Sequence, residues 1–533
     1  MPWIILLIAG AIHAQTFSGS VLPASLLAPL QLLTLAVLFI FLFRSKTIKK
    51  AALYSFIFSL AHFCSGIYWL FISMNTYGNL AAPLAIIAVI LLSSYLSLYP
   101  MLAGIIFRLF KPSTSFWGAL LLAVLWGAGE WLRSLVMTGF PWLNIAYAHV
   151  DGPLSGWAPI WGSYGVALLA AFCAALISVF LLSLATKQRQ WSSLITLFAV
   201  VAIGQGLKTI TWSQPIHDPI TVRLVQGNID QRDKFNPATM LSSMQENFEL
   251  ADLPPSDPNK KHQIVIFPET IIPGFQHQLA PEFWQHIIAS AANDEASYFI
   301  GTPYFEQDFK GERFIGNSII AIDGSTPVEA LYQANGVPRY DKQHLVPFGE
   351  YIPYGFRWFV EAIGIPMGDF SRGAQRQANF QVGQHVFAPN ICYEDIFGDE
   401  LLPSLFPADI QTANGIVHSP GATILFNVSN LAWFGNSSAL GQHLQMAKMR
   451  AIETARPMLR ATNTGATAHI DAKGHVISSL PYLSAGVLDV DVQGMTGFTP
   501  YAHIKNYGFL AFVVLMQLLF VVKKPHSTLR KSP

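Results

Sequence analysis

The placement of apolar residues constrains this chain more than any motif does. Residues 1 to about 210 are almost continuously apolar, residues about 215 to 500 have the mixed composition of a globular domain, and residues 507 to 522 ("YGFLAFVVLMQLLFVV") are apolar again. Of the 533 residues, 52% are hydrophobic and only 12% are charged, whereas a soluble domain carries roughly 25% charged residues. The surplus apolar surface must face lipid, so the order along the chain is membrane, domain, membrane.

Windows of about 20 apolar residues place spans near 3 to 14, 22 to 43, 52 to 73, 82 to 107, 116 to 137, 162 to 185, 191 to 208 and 507 to 522. The first has no strongly basic leader. Ala-Ile-His-Ala before Gln15 loosely resembles a cleavage site, which leaves open whether the segment is retained. Either outcome starts the second span on the outer side. Basic residues then fall on every second loop: Arg44, Lys46, Lys49 and Lys50; Arg108 and Lys111; Lys187 and Arg189; Lys523, Lys524, Arg530 and Lys531. The loops near 15 to 21, 74 to 81 and 138 to 160 contain no Lys or Arg. The positive-inside rule puts the basic loops in the cytoplasm and, by parity, the domain between the seventh and eighth spans outside. A formal net charge of +1 supplies no basic field for phosphate backbones, so no nucleic-acid partner is expected.

Within the fifth span, Glu130 and Arg133 share a helix face. The plain reading is an ion pair that holds helices in register, the alternative a polar path for a lipid headgroup. Trp142, in "TGFPWLNIAY", is placed as an interfacial anchor.

The outer domain reads as strands at 220 to 229, 263 to 269, 297 to 305, 317 to 323, 386 to 394, 422 to 430 and 486 to 492, with helical patterns at 237 to 251, 281 to 293 and 438 to 455. Strands alternating with helices indicate a layered α/β domain, whose sites collect at strand ends. Glu269 follows one apolar run and Cys392 another.

Of the three cysteines, Cys64 and Cys173 lie in apolar spans and read as packing. Cys392, in "NICYEDIFG", stands alone in an extracytoplasmic domain, where a structural thiol would be paired if a partner existed. A nucleophilic thiol needs a base, and Glu269 is the natural candidate; a tetrahedral intermediate needs a cation or N–H donors, and Lys342 in "RYDKQHLVPFGEYIP" supplies charge. Taken singly, each also reads as an ordinary surface or strand-end residue.

"FPET", "DKQHLVPFGEYIP" and "NICYEDIFG", in that order and spacing, resemble the Glu, Lys and Cys motifs of the nitrilase superfamily. In a multi-spanning chain, together with "SLYPMLAG", "TGFPWLNIAYAHVDGPLSGWAPI", "VQGNI", "FSRG", "HLQMAKMRAIETARPMLRATNTG" and "GFTPYA", they resemble the membrane-embedded branch of that superfamily, the apolipoprotein N-acyltransferase family. The likeness covers essentially the whole chain.

That resemblance implies a multi-span α-helical bundle of about seven helices over 1–210, a nitrilase-like αββα sandwich over 215–500 and a C-terminal transmembrane helix over 505–525. It implies Glu269 as general base, Lys342 as the oxyanion-stabilising cation and Cys392 as nucleophile. Glu350 would position the site, Tyr393 would offer its backbone N–H to the oxyanion, and Glu394 would neighbour the nucleophile, although Glu350 could simply pin its loop and Glu394 cap the next helix. Asp395 needs no role beyond charge compensation at a helix start, and His443 and Arg450 read as supporting structure. Leu431 stands where the family usually has Asp, in Asn430-Leu431-Ala432-Trp433-Phe434, so a carboxylate is missing beside the site.

The implied reaction is ping-pong acyl transfer from a membrane phospholipid, through a Cys392 thioester, to the N-terminal amine of a diacylglyceryl-cysteine apolipoprotein. No cofactor or metal is called for. A monomer in the bacterial inner membrane, its catalytic domain facing the periplasm, is expected. The apolar segment 353 to 367 reads as a lid, or as core packing. Two other readings stay open at this point: a membrane-tethered amidohydrolase using the same residues, and a non-enzymatic lipid transporter.

Overall fold

The computed structural model describes residues 2–17, 22–185, 189–307, 311–358, 369–412 and 415–522. The chain forms two compact units, one built from Met1–Tyr68, Ile86–Ile210 and His503–Pro533, the other from Trp69–Ala85 and Thr211–Ala502.

The first unit is helical. An apolar helix occupies each segment read as a span: Pro2–Ala14, Ala24–Arg44, Ile48–Gly66, Ala82–Leu109, Phe116–Arg133, Ala158–Leu184, Trp191–Leu207 and Tyr507–Val522. Local signals set their starts. Thr47 accepts from the Lys50 N–H, and Ser115 from that of Gly118, each satisfying an otherwise orphaned helical donor. Close approach is set by small residues: a Cβ on Gly10 would lie 2.1 Å from the Phe58 carbonyl oxygen, so only glycine lets these two helices touch. Among the described residues, three helical stretches, Ala24–Arg44, Ala82–Leu109 and Pro153–Leu184, are long and apolar enough to cross a membrane, and the bent pair Ile48–Gly66 and Trp69–Tyr77 makes a fourth if taken as one span. Pro2–Ala14, Trp191–Leu207 and Tyr507–Val522 are apolar but shorter. Ile87, Leu91, Ile195, Phe198 and Leu518 are exposed, a surface suited to lipid rather than water.

Two expectations are revised. The third span is not one continuous helix to residue 73: its helix ends at Gly66, and a break separates it from Trp69–Tyr77. Composition cannot see that break, because both sides of it are apolar. Trp142 is no interfacial anchor. It is buried against Phe140, and its carbonyl accepts from Arg133 at 2.7 Å. Arg133 also pairs with Glu130 inside the helical unit, as the plain reading had it.

Besides two short two-stranded sheets, the second unit holds a sandwich of two six-stranded sheets. Its strands are β1 (Ile220–Gln226), β2 (Ile264–Ile266), β3 (Ser297–Gln307), β4 (Arg313–Ile322), β5 (Arg339–Asp341), β6 (Phe380–Val382), β7 (His385–Ile391), β8 (Ile424–Ser429), β9 (Met458–Thr462), β10 (Ala468–Ile470), β11 (Val476–Ser479) and β12 (Gly486–Val492). One sheet runs β12-β1-β2-β3-β4-β5, the other β11-β10-β9-β8-β7-β6. The pairs β1–β2, β2–β3, β7–β8 and β8–β9 are parallel.

The period-2 alternation of β1 explains the layering. Val222 and Leu224 enter the core between the sheets, which also holds Ile266, Phe299, Phe387, Ile391, Phe426 and Leu459. Phe299 stacks on Phe426 across it, with centroids 5.3 Å apart. On the outer faces, Trp284 and Ile287 of helix Pro281–Asp294 join one cluster, and Ala447 and Ala451 of helix Ser438–Thr454 another. The result is the four-layer αββα sandwich expected from the sequence.

Candidate active site

Strand ends supply the site. Glu269 comes shortly after β2, Lys342 directly after β5, Cys392 directly after β7 and Asn430 directly after β8. Pro268 has no N–H to extend the β2 ladder, so the chain leaves the sheet there and the Glu269 side chain is turned into the interior, where it is 7% exposed.

The Glu269 carboxylate is held on both oxygens. Oε1 accepts from Asn317 Nδ2 at 2.8 Å and Lys342 Nζ at 3.3 Å, and Oε2 accepts from the Asn430 N–H at 2.9 Å. Lys342 Nζ also donates to Glu350 Oε1 at 2.8 Å. Asn317 Nδ2 bridges to that same oxygen at 2.7 Å. Glu350 Oε2 accepts from the Val346 N–H at 2.8 Å, so this residue both pins its own loop and reaches the lysine. The missing carboxylate at position 431 does not disturb this, because Asn430 contacts Glu269 through its backbone and Leu431 is fully buried.

Cys392 completes the cluster. Burial, followed by the negative charge of Glu269, raises its thiol above the ordinary thiol range while Lys342 opposes the rise. Burial works against the Lys342 charge, but Glu350 and then Glu269 outweigh it and hold the ammonium above its ordinary value. The lysine is therefore a fixed cation, and the thiol stays protonated until a base takes the proton.

Cys392 itself has φ +52°, a left-handed conformation that costs a residue bearing a Cβ on the order of 1 kcal/mol. It opens the turn Cys392–Ile396, which lifts the thiol off the strand end.

Glu394 is fully buried. Oε2 accepts from the Ile391 N–H at 2.6 Å and the Tyr340 hydroxyl at 3.0 Å, and Oε1 from the N–H groups of Gln343 at 2.7 Å and His344 at 3.2 Å. It caps its own turn and also ties the cysteine strand to the lysine loop. Burial pushes it up to about 7 against the pull of those hydrogen bonds. Tyr393 packs its ring against Phe397 and His344.

Asp395 departs from the sequence reading. It does not merely compensate a helix start, but pairs with Arg460 at 2.6 Å, both side chains fully buried. His443 reaches the Cys392 carbonyl at 3.1 Å, and Arg450 donates to the Ile396 carbonyl at 3.3 Å.

Sequence reasoning missed Asn317 and Lys234, and it named Asn430 as part of a motif without giving it a role. Lys234 is buried and donates to the Glu269 carbonyl at 2.9 Å. Burial lowers it to about 8, against the opposing pull of Glu269 and Cys392. In the sequence it closes the charge-rich run "DQRDK", which reads as a solvated face. Of the segment 353 to 367, Tyr354 and Trp358 are exposed, and 359 to 367 lie outside the described residues. Among the described residues, no cluster of three or more His, Cys, Asp or Glu side chains is arranged to hold a metal ion.

Residues 17–176 match the family model of the apolipoprotein N-acyltransferase N-terminal domain, and residues 221–501 match that of carbon-nitrogen hydrolases. The apolipoprotein N-acyltransferase of Bordetella bronchiseptica is 46% identical over 527 residues, covering 96% of this chain and 95% of its own. That of Ralstonia nicotianae is 40% identical over 499 residues, covering 93% and 89%. That of Vibrio cholerae is 32% identical over 496 residues, covering 92% of each.

Proposed function

This chain belongs to the apolipoprotein N-acyltransferase family, and from that premise we propose how its site acylates the amino terminus of a lipoprotein. Glu269 is the general base, Lys342 the cation facing the oxyanion, and Cys392 the nucleophile. The observation that carries this is the Glu269 carboxylate, whose charge acts on the Cys392 thiol and which Asn317, Asn430 and Lys342 already hold in place. A base so fixed needs no reorganisation before it takes the proton.

In the first half-reaction Glu269 accepts the Cys392 proton while the sulfur attacks the sn-1 ester carbonyl of a phospholipid. Negative charge develops on the carbonyl oxygen, opposite Lys342 and the backbone N–H of Tyr393. The C–O bond then breaks, Glu269 returns its proton to the departing oxygen, and lysophospholipid leaves behind a thioester. In the second, the α-amino group of a diacylglyceryl-cysteine attacks the thioester carbonyl and gives its proton to Glu269. The C–S bond breaks, the thiol is regenerated with that proton, and an amide remains. Glu350 stabilises Lys342 throughout, and Glu394 keeps the cysteine strand and lysine loop in register.

Both proposed substrates are lipid-anchored, and removing an acyl chain from the bilayer costs about 0.8 kcal/mol per CH₂. An enzyme tied to the membrane at both ends of its catalytic unit avoids that cost. We place that unit on the periplasmic side of the inner membrane in a monomer. In support, the basic loops gather on one face of the helical unit: Arg108 donates to the Lys46 carbonyl at 3.4 Å, and Gln190 to that of Thr114 at 2.9 Å.

The test is to incubate the purified protein with phospholipid carrying a labelled sn-1 chain and to locate the label by mass spectrometry. A thioester on Cys392, discharged by a diacylated lipopeptide, is expected. Label on another residue, or discharge by water alone at the same rate, would sink the reading.

A further inference from the structure

We propose that Asp395, Arg460 and His443 form a buried relay that aims the oxyanion-binding N–H beside Cys392, making all three positioning residues for acyl transfer. The inference rests on the reading of Cys392 as nucleophile and extends it beneath the site.

The starting point is a charge in the wrong place. Arg460 lies in the middle of β9 and is fully buried, where a guanidinium survives only if its donors are all used. Nη1 donates to Asp395 Oδ2 at 2.6 Å, Nε to the Ala466 carbonyl at 3.3 Å and Nη2 to His443 Nδ1 at 2.6 Å. A guanidinium has no acceptor, so this last contact decides the imidazole tautomer. Nδ1 must accept, and the ring proton therefore sits on Nε2. Nε2 lies 3.1 Å from the Cys392 carbonyl oxygen and can only donate to it. Asn427 Nδ2 donates to the same oxygen at 3.3 Å.

Asp395 and Cys392 are on one turn, Cys392–Ile396. The relay therefore leaves that turn at Asp395, passes through a central strand and a helix, and returns at the Cys392 carbonyl. What it grips is a peptide plane. The amide joining residues 392 and 393 is planar, with its C=O and N–H antiparallel, so fixing the Cys392 carbonyl fixes the direction of the Tyr393 N–H. Cys392 also sits at φ +52°, where relaxation would rotate that plane. The two donors on its carbonyl oppose the rotation.

The alternative is a buried network that only holds the core together. Two measurements separate the ideas. Acyl transfer needs the oxyanion donor; alkylation of Cys392 by iodoacetamide, a displacement at a saturated carbon, does not. For His443→Leu we expect kcat to fall about 10- to 100-fold, somewhat less than complete loss of an oxyanion donor, with KM and the alkylation rate within about threefold of wild type. His443→Gln keeps an N–H donor and should recover most of the loss. If His443→Leu does not fold, Asp395→Asn, which weakens the grip on Arg460 without emptying space, should show a smaller drop in kcat with the same split. Equal kcat in the variants and wild type overturns the proposal, as does alkylation falling in step with turnover or a His443→Gln variant no better than His443→Leu. Wild-type protein alkylated at Cys392 that still transfers acyl chains would instead remove the nucleophile reading, and the relay's role with it.

Discussion

Asn317 offers the sharpest measure of how the site is held. Its amide donates to Glu269 at 2.8 Å and to Glu350 at 2.7 Å, and it lies on β4, away from any recognised motif. Hydrogen bonds to charged groups contribute about 1.5–3 kcal/mol each, so Asn317→Ala forfeits roughly 3–6 kcal/mol gross. Water entering the vacated space restores part, and a net destabilisation of about 3 kcal/mol is expected. Glu269 keeps the Asn430 N–H and Lys342 but loses one of its anchors; drift of about 1 Å would lower the acylation rate on the order of 100-fold. Asn317→Asp is nearly isosteric yet turns a donor into an acceptor facing two carboxylates. The like charges raise the folded pKa of the new carboxyl above its unfolded value of about 3.9. Its contribution is then fully present below about pH 4 and lost as pH rises through the folded value. The stability gap between Asn317→Asp and wild type should therefore widen from pH 5 to pH 8, and more than the gap for Asn317→Ala. Thermal unfolding in detergent across that range, paired with single-turnover thioester formation, measures both effects. An Asn317→Asp gap that is small and independent of pH would refute the reasoning.

Other substitutions test the rest of the centre. Cys392→Ala should abolish label retention from phospholipid, read by mass spectrometry, while leaving the unfolding temperature within a few degrees. Glu269→Gln should slow thioester formation by about 10²- to 10⁴-fold, with little change in phospholipid binding measured on vesicles. Lys234, lowered by burial to about 8 from 10.5, binds a proton less readily folded than unfolded, so its contribution is present above about pH 10.5 and lost as pH falls through about 8. Stability should thus rise across that window by about 3 kcal/mol in wild type relative to Lys234→Met, and denaturation series at pH 7.5 and 10 would show it.

The membrane helices and the sandwich could be read from the chain because their signals are local. Apolar runs need no partner to be recognised, and Glu269, Lys342 and Cys392 each stand in a contiguous motif, the first and last just past an apolar run. What escaped depends on distant partners. β9, "MLRAT", carries Arg460 where alternation asks for an apolar residue, and that arginine is intelligible only beside Asp395 and His443, 65 and 17 positions away. Asn317 reads as an ordinary polar residue at a strand start until both glutamates are seen to converge on it. β5 and β6 are three residues long, too short for periodicity to register. The break after Gly66 was hidden because helix and connector are equally apolar.

The charges at the centre bear on how the proposed mechanism would run two opposite proton transfers in a buried site. Glu269 and Glu350 bring two negative charges and Lys342 one positive, all of them buried or nearly so. The buried ammonium of Lys234, which also acts on Glu269 and Cys392, adds a second positive charge, so the cluster is formally neutral with a neutral thiol. In the proposed mechanism, moving the Cys392 proton to Glu269 leaves that sum unchanged, because one anion replaces another within the cluster. Creating the nucleophile thus adds no net charge to a low-dielectric region, where a new charge would cost several kcal/mol. The same would hold in reverse in the proposed second half-reaction, when Glu269 takes a proton from the incoming amine. Lys342 is held by Glu350 as well as by Glu269, so in that mechanism it would stay charged while Glu269 is neutral and would still face the oxyanion. A site with one glutamate would lose that hold as soon as its base was protonated; the second carboxylate keeps the lysine where the oxyanion forms.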